Sequence, residues 1–298
     1  MQELNELGAL EAARPRSRNC NRRNLHNVRL QIPGAREMPA ALLIRRTGLA
    51  LLLAMSGALA FAQAQKAPVY EPQSGQEGKD VVWVPTPQIL VDKMLDMARV
   101  TPNDFVMDLG SGDGRTVITA AKRGARALGI EYNPDMVALS QKNAEKEGVS
   151  GRAAFRNADL FETDFSKATV ITMFLLPEIN LKLRPKILGL KPGTRVVSNT
   201  FTMEKWQADE TATLDDGTGC SSWCTALLWI VPADVAGAYS TTQGELVLKQ
   251  QFQMLSGMLQ TEGKTFAIAG RVRGEVVSFR AGGRQYRGRV NGGKLELR

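Results

Sequence analysis

The segment most able to do chemistry is Asp108-Leu109-Gly110-Ser111-Gly112-Asp113-Gly114-Arg115, which follows the apolar run Phe105-Val106-Met107. Three glycines at a spacing of two let a backbone turn tightly and approach a ligand that side chains would block. An apolar strand entering such a loop, with a helix behind it, builds the usual ligand crevice of an α/β sheet. The dinucleotide spacing G-x-G-x-x-G is not met, because the third glycine would fall at Arg115. An acidic residue, Asp108, instead precedes the first glycine. A second acid, Glu131, ends the next apolar run 21 residues beyond Gly110. A carboxylate at a strand end can accept two hydrogen bonds from a ribose diol. A third, Asp159, follows the third apolar run. Each acid taken alone could equally be a solvated loop residue; three at coordinated strand ends weigh together toward one ligand site.

The elements that must position these residues alternate. Leu90, Val91, Met94, Leu95 and Ala98 form one helical face, and Phe105–Leu109 reads as a buried strand. Helix 116–123, strand 127–131, helix 134–147, strands 153–157 and 169–175, helix 179–190 and strand 195–201 follow. Pro185 is expected to break or kink its helix. This order predicts a mainly parallel sheet covered on both faces, a Rossmann-like α/β fold, with strand 225–231 closing its edge. After residue 235 the apolar period changes to two. Turn signals at 262–264, 273–275, 281–284 and 291–294 predict a small antiparallel meander or barrel over 236–298.

The pattern D-x-G-x-G-x-G resembles motif I of class I S-adenosyl-L-methionine (SAM) methyltransferases. That resemblance implies SAM as cofactor, with Asp108, Gly110, Ser111, Gly112, Gly114 and Arg115 around the loop. It also implies Glu131 on the ribose, Tyr132 and Asn133 continuing the adenosine pocket, and Asp159 with Leu160 at the adenine. Val84-Pro85-Thr86-Pro87, the stretch from Asp159 to Phe165, and Phe201 to Trp206 are similar to the mitochondrial protein-lysine methyltransferases that modify the ATP synthase c subunit and the adenine nucleotide translocase. The likeness covers about 81–231. More distantly, Phe174-Leu175-Leu176-Pro177-Glu178 is similar to the seven-strand histone lysine methyltransferase. Where enzymes methylating amide or adenine nitrogen carry an Asn/Asp-Pro-Pro-aromatic box, this chain has the same Phe174–Glu178 stretch, an apolar wall suited to an alkyl amine. Phe174, Pro177, Glu178 and Trp206 are the candidate acceptor-channel residues. Glu178 could equally be a helix N-terminal acid favoured by the dipole, and Trp206 could equally be core.

Composition bounds the remaining possibilities. The chain has 298 residues and a net charge of +8, but residues 65–235 hold 19 basic against 22 acidic residues. A mildly acidic body is poor support for a nucleic-acid groove. The single histidine, His26, lies in the basic leader, so imidazole-based triads and histidine-ligated metal sites are not expected in the body. Residues 1–37 read as a disordered or over-annotated leader, with Met38 as the expected start. Arg45 and Arg46, followed by an uncharged stretch through Gln65 with small residues at 60–64, predict a signal peptide over 38–64. An uncleaved anchor through 47–65 is the alternative, and residues 65–80 read as a linker. The domain over 81–235 is thus expected outside the cytoplasm, although a cytoplasmic location stays open. There Cys220 and Cys224 could bridge or remain unpaired. Residues 236–298 hold ten basic against four acidic residues; they read either as a membrane-docking surface or as a stabilising cap. The acceptor is a protein lysine in the first reading and a small molecule in the second. A non-catalytic exported SAM-binding module is the third.

Overall fold

A computed structural model describes residues 70–297; the leader and signal-peptide expectations lie outside the described residues. Helix α1 (Gln88–Met97) precedes strand β1 (Phe105–Leu109), α2 (Arg115–Lys122), β2 (Arg126–Glu131) and α3 (Pro134–Lys146). Then come β3 (Ala153–Asn157), β4 (Val170–Met173), α4 (Pro177–Leu188) and β5 (Arg195–Asn199). Strands β6 (Glu210–Thr213) and β7 (Thr225–Ile230) complete a sheet of order β3-β2-β1-β4-β5-β7-β6. Strands β1 to β5 pair in parallel, whereas β7 runs antiparallel to β5 and β6 antiparallel to β7. The expected edge strand is therefore interior. Strand β6 takes the edge, and its four residues, Glu-Thr-Ala-Thr, carry too little apolar pattern to announce it.

Side-chain alternation along the strands decides which helix covers which face. Val106 of β1 joins Leu90, Val91, Leu95, Val117 and Ala120 of α1 and α2 in one core cluster. Met107 and Leu109 point the other way, into a cluster with Ile171, Leu183, Ile187, Trp206 and Trp229. The apolar face expected of α1 is fully buried at Leu90, Val91, Leu95 and Ala98. Helix α4 runs through Pro185 without ending; this residue faces solvent, where water can hydrogen-bond the carbonyl that its missing N–H leaves free. At the amino ends of β1, β4 and β5, Asp104 pairs with Arg195 and accepts from Thr169 Oγ1 at 2.7 Å and Thr101 N at 2.8 Å. That brace holds three strands in register at the end remote from the site. Among the described residues no helix is long and apolar enough to cross a membrane.

The second sheet is the expected antiparallel module: β8 (Gly237–Thr241), β9 (Gly244–Gln251), β10 (Met254–Thr261), β11 (Lys264–Arg273), β12 (Val276–Ala281), β13 (Arg284–Asn291) and β14 (Lys294–Leu297). It is a seven-strand meander whose last strand curls back beside its first. Leu246, Leu248, Leu259, Val272, Val277 and Phe279 face its interior. The turns at Glu262-Gly263, Gly282-Gly283 and Gly292-Gly293 have left-handed backbones at both central residues, the geometry that matches strand twist in two-residue hairpins. A turn the pattern did not announce, Phe252-Gln253, joins β9 to β10.

This turn ties the two sheets together. The Phe252 ring stacks on Trp206 with centroids 6.1 Å apart. Buried Gln253 donates to Gln207 O at 2.6 Å, and Arg271 pairs with the buried Asp209 carboxylate. The module thus completes the core around Trp206. Phe252→Ala should lower the unfolding free energy by about 2–3 kcal/mol, the scale of removing a largely buried aromatic ring. Urea denaturation followed by tryptophan fluorescence measures this; an unchanged midpoint would show that the two sheets do not share a core.

Candidate functional site

Strand β1 lies at the point where the chain order reverses, with β2 on one side and β4 on the other. Its carboxyl end opens the crevice that such a reversal leaves. The loop after it is held by neighbours on every side. Gly110 N and Ser111 N donate to Ile130 O at 2.9 and 3.0 Å. Gly112 N donates to Glu131 Oε2 at 2.9 Å, and Ser140 Oγ donates to Gly112 O at 2.8 Å. Gly112 has φ +53°, and a Cβ there would meet Trp83 Nε1 at 2.4 Å. Gly114, with φ +84°, caps α2; a Cβ there would strike the Phe155 ring at 2.8 Å. Gly114 therefore serves close helix–strand packing and does not line the crevice, in contrast to the expectation for it.

Most of the other residues expected around the cofactor converge. Asp108, Gly110, Ser111, Gly112, Arg115, Glu131, Tyr132, Asn133, Asp159 and Leu160 all line one crevice, with Phe174 and Leu175 on its far wall. Glu131 is engaged at both oxygens, accepting from Gly112 N and from Asn133 N at 2.9 Å each. Each oxygen keeps a second lone pair. Asn133 caps α3 through Oδ1, which accepts from Asp135 N. Arg115 is held at the crevice by neighbours that also line it: it pairs with Asp113 and donates to Thr86 O at 2.9 Å.

Three of the acceptor-channel expectations need correction. Trp206 is fully buried between Trp229 and Phe252, and its carbonyl accepts from Trp229 Nε1 at 2.7 Å. It is core, because burying so large a ring among aromatics outweighs presenting it to solvent. Pro177 and Glu178 form the first turn of α4, where the chain leaves the crevice wall. Glu178 is exposed there, which leaves the helix-dipole role. Only Phe174 of the four borders the crevice.

Residues 70–87, read partly as a linker, form the near wall. Gly75 and Trp83 are tied by a backbone hydrogen bond at 2.8 Å, and the crevice is lined from Gln76 to Thr86. Lys79 forms an ion pair with Asp159 and lies 4.8 Å from the Tyr132 ring centroid. It holds the Asp159 carboxyl below the usual carboxylate range. Sequence reasoning missed Lys79 and Trp83, since their partners are far along the chain. The one available signal was the short apolar run Val81-Val82-Trp83-Val84 directly after a polar, glycine-containing stretch.

Asp108 is the most perturbed group. Burial pushes its carboxyl up to about 7, against a hydrogen bond from Thr172 Oγ1 at 2.6 Å. Six acids, Glu77, Asp80, Asp108, Asp113, Glu131 and Asp159, border the crevice against two basic residues, Lys79 and Arg115. Together with a buried, unpartnered Ser111 Oγ, this donor set fits a ligand that carries positive charge and hydroxyl groups. SAM is such a ligand, with a sulfonium, an ammonium and a ribose diol.

The Asp108 shift has a defined sign. Unfolded, the carboxyl titrates near 4; folded, near 7. Between those values the folded chain keeps a proton that the unfolded chain has lost, so folding stability declines as pH rises from about 4 to 7. Asp108→Asn accepts from Thr172 but cannot ionise. In the ligand-free protein it should match wild type at pH 4 and exceed it at pH 8 by on the order of 4 kcal/mol, at 1.36 kcal/mol per unit. Urea denaturation at both pH values tests this. A difference that does not change with pH would mean that the charged form is not desolvated.

Comparison with known proteins agrees with this geometry. Residues 108–210 match the ANTKMT methyltransferase domain family. The chain is 47% identical over 140 residues to a protein-lysine N-methyltransferase of Saccharolobus islandicus, covering 46% of this chain and 87% of that one. It is 37% identical over 128 residues to the Homo sapiens lysine N-methyltransferase of the ATP synthase c subunit, spanning 43% of this chain and 54% of that one. A solved RNA methyltransferase from Salinibacter ruber, in complex with S-adenosyl-L-homocysteine, shares 47% identity over 51% of this chain and 96% of its own, with a TM-score of 0.47. The chain belongs to the protein-lysine N-methyltransferase family, and its methyl donor is S-adenosyl-L-methionine.

Proposed function

We propose that this protein methylates the ε-amino nitrogen of a protein lysine. Bound in the crevice, SAM supplies an electrophilic methyl group on its sulfonium. Glu131 would hold the ribose diol through its free lone pairs, Asp159 and Leu160 would border the adenine, and Tyr132 and Asn133 would flank the adenosine. Asp108 would face the cationic end, which draws its carboxyl toward the ionised form. The observation that carries the acceptor reading is the crevice's far wall, Met173-Phe174-Leu175, apolar throughout. A lysine amine ordinarily titrates near 10.4. Desolvation along an apolar wall favours its neutral, nucleophilic form. What remains is alignment of nitrogen, methyl and sulfur, a positioning task that needs no strong base. The kinship with the archaeal lysine methyltransferase supports the same reading.

Envelope and membrane proteins from a strain lacking this gene, compared with wild type by peptide mass spectrometry, should lose single-methylene increments at lysine. Losses confined to small molecules or RNA would replace the lysine reading.

We also propose that the protein works outside the cytoplasm against a membrane surface. Arg45 and Arg46 before an uncharged stretch support export, and the Cys220–Cys224 disulfide suits an oxidising compartment. Exposed Val247, Met254 and Met258, on a module with exposed Arg280, Arg284 and Arg287, support surface docking. Fractionation at low salt should recover the protein with envelope membranes, release it with high salt, and give a mature N-terminus near Gln63 or Gln65. A cytosolic chain beginning at Met1 would overturn the proposal.

A further inference from the structure

Three aromatic rings meet beside the crevice at Phe174. Phe174 lines the crevice directly after β4. Its ring stacks on Phe201, centroids 5.8 Å apart and planes 20° apart. Trp223 closes the group at 5.3 Å from Phe201 and 6.0 Å from Phe174. Unlike the core trio around Trp206, this one is open, and Trp223 is 43% exposed.

The backbone cost of building it is visible. Trp223 has φ +56°, and Thr200, immediately before Phe201, has φ +57°. Bulky or β-branched residues rarely take this left-handed conformation, which persists only where the surroundings enforce it. For Trp223 the enforcement is covalent: the disulfide closes the chain from Cys220 to Cys224 around it. For Thr200 it is hydrogen bonding on both sides: its N–H donates to Thr225 O at 2.7 Å, and the next carbonyl, of Phe201, accepts from Ser198 Oγ at 2.8 Å and Asn180 Nδ2 at 3.2 Å. Two strained residues and a cross-link hold a group that still leaves Trp223 43% exposed, so burial alone does not account for the arrangement. Ring faces offer an alkylammonium two things, apolar contact for its stem and quadrupole attraction for its charge.

We propose that Trp223, Phe201 and Phe174 form the entry wall for the acceptor lysine, with Trp223 as a binding residue and the Cys220–Cys224 disulfide positioning it. This rests on the lysine reading above. The wall receives the charged ammonium at Trp223 and passes its stem along Phe201 to Phe174, where the crevice is apolar and the proton is shed to solvent.

The probe is n-butylammonium, a lysine side-chain mimic, titrated by NMR into the full chain saturated with S-adenosyl-L-homocysteine, with neutral n-pentanol as size control. Wild type should prefer the cation. Trp223→Ala should weaken n-butylammonium about tenfold, within the range of a cation–π contact. Trp223→Phe should retain most of the affinity, and neither change should alter S-adenosyl-L-homocysteine affinity, which also reports an intact fold. The double change Cys220→Ser, Cys224→Ser should weaken the cation alone, as should reduction by dithiothreitol, with recovery on reoxidation. Equal binding of cation and alcohol, or an unaffected Trp223→Ala, would overturn the wall even where lysine methylation is found in vivo. Cation recognition as described, without any lysine product in the deletion comparison, would leave the wall standing and overturn the acceptor reading.

Discussion

One hydrogen bond organises the site: the Gly112 amide donates to the Glu131 carboxylate at 2.9 Å. It joins the glycine loop after β1 to the end of β2, and it requires both a carboxylate there and a backbone free of side chain here. The parallel pairing of β1 with β2 sets the two at the right height. Everything that borders the crevice is built outward from this pair. Asn133 closes on the other carboxylate oxygen and starts α3. Ser140 of that helix returns to Gly112 O. A closed circuit of backbone and short side chains results, stiff enough to present several polar groups to one ligand without first reorganising.

The same circuit makes the site electrostatically costly. Carboxylates are concentrated at strand ends, and one of them, Asp108, is buried deeply enough to hold a proton near neutrality. Such a site is poorly satisfied alone and well satisfied by a cation. Stability given up in the ligand-free state is recovered as affinity for a positively charged cofactor, which is the usual relation between strained electrostatics and binding. The Asp104–Arg195 brace at the opposite end of the strands offsets none of this locally. It keeps the strands in register, so that the acids stay together.

The second sheet shows how an appended module becomes part of a domain. Its turn at Phe252-Gln253 reaches across to Trp206 and Gln207, and Arg271 neutralises a buried Asp209. Trp206 is therefore a structural link between the sheets. Two aromatic trios have different places: Trp206, Trp229 and Phe252 join the two sheets, and Phe174, Phe201 and Trp223 meet at the crevice through Phe174.

Much of this was legible in the residues. Alternating periods of 3.6 and 2 announced the parallel sheet and the antiparallel module, because burial on one helix face or both sheet faces leaves a local pattern. The loop from Asp108 to Arg115, with Glu131 and Asp159, marked the cofactor site, since strand ends and glycine turns are also local. What the pattern could not carry was contact between distant segments. Strand β6 is too short and polar to show a period, and the part of the near wall at Lys79 looked like a linker. Gly114 shared a motif with crevice glycines but is pressed against Phe155. Trp206, Pro177 and Glu178 stood beside Phe174 as equals until packing separated them. The open disposition of Trp223 depends on a disulfide and on Phe201, 22 residues away. Periodicity determined the fold class, and the glycine loop with its resemblance to motif I marked the cofactor end; only three-dimensional packing decided which aromatics are core and which face the crevice, because that depends on what lies across the gap.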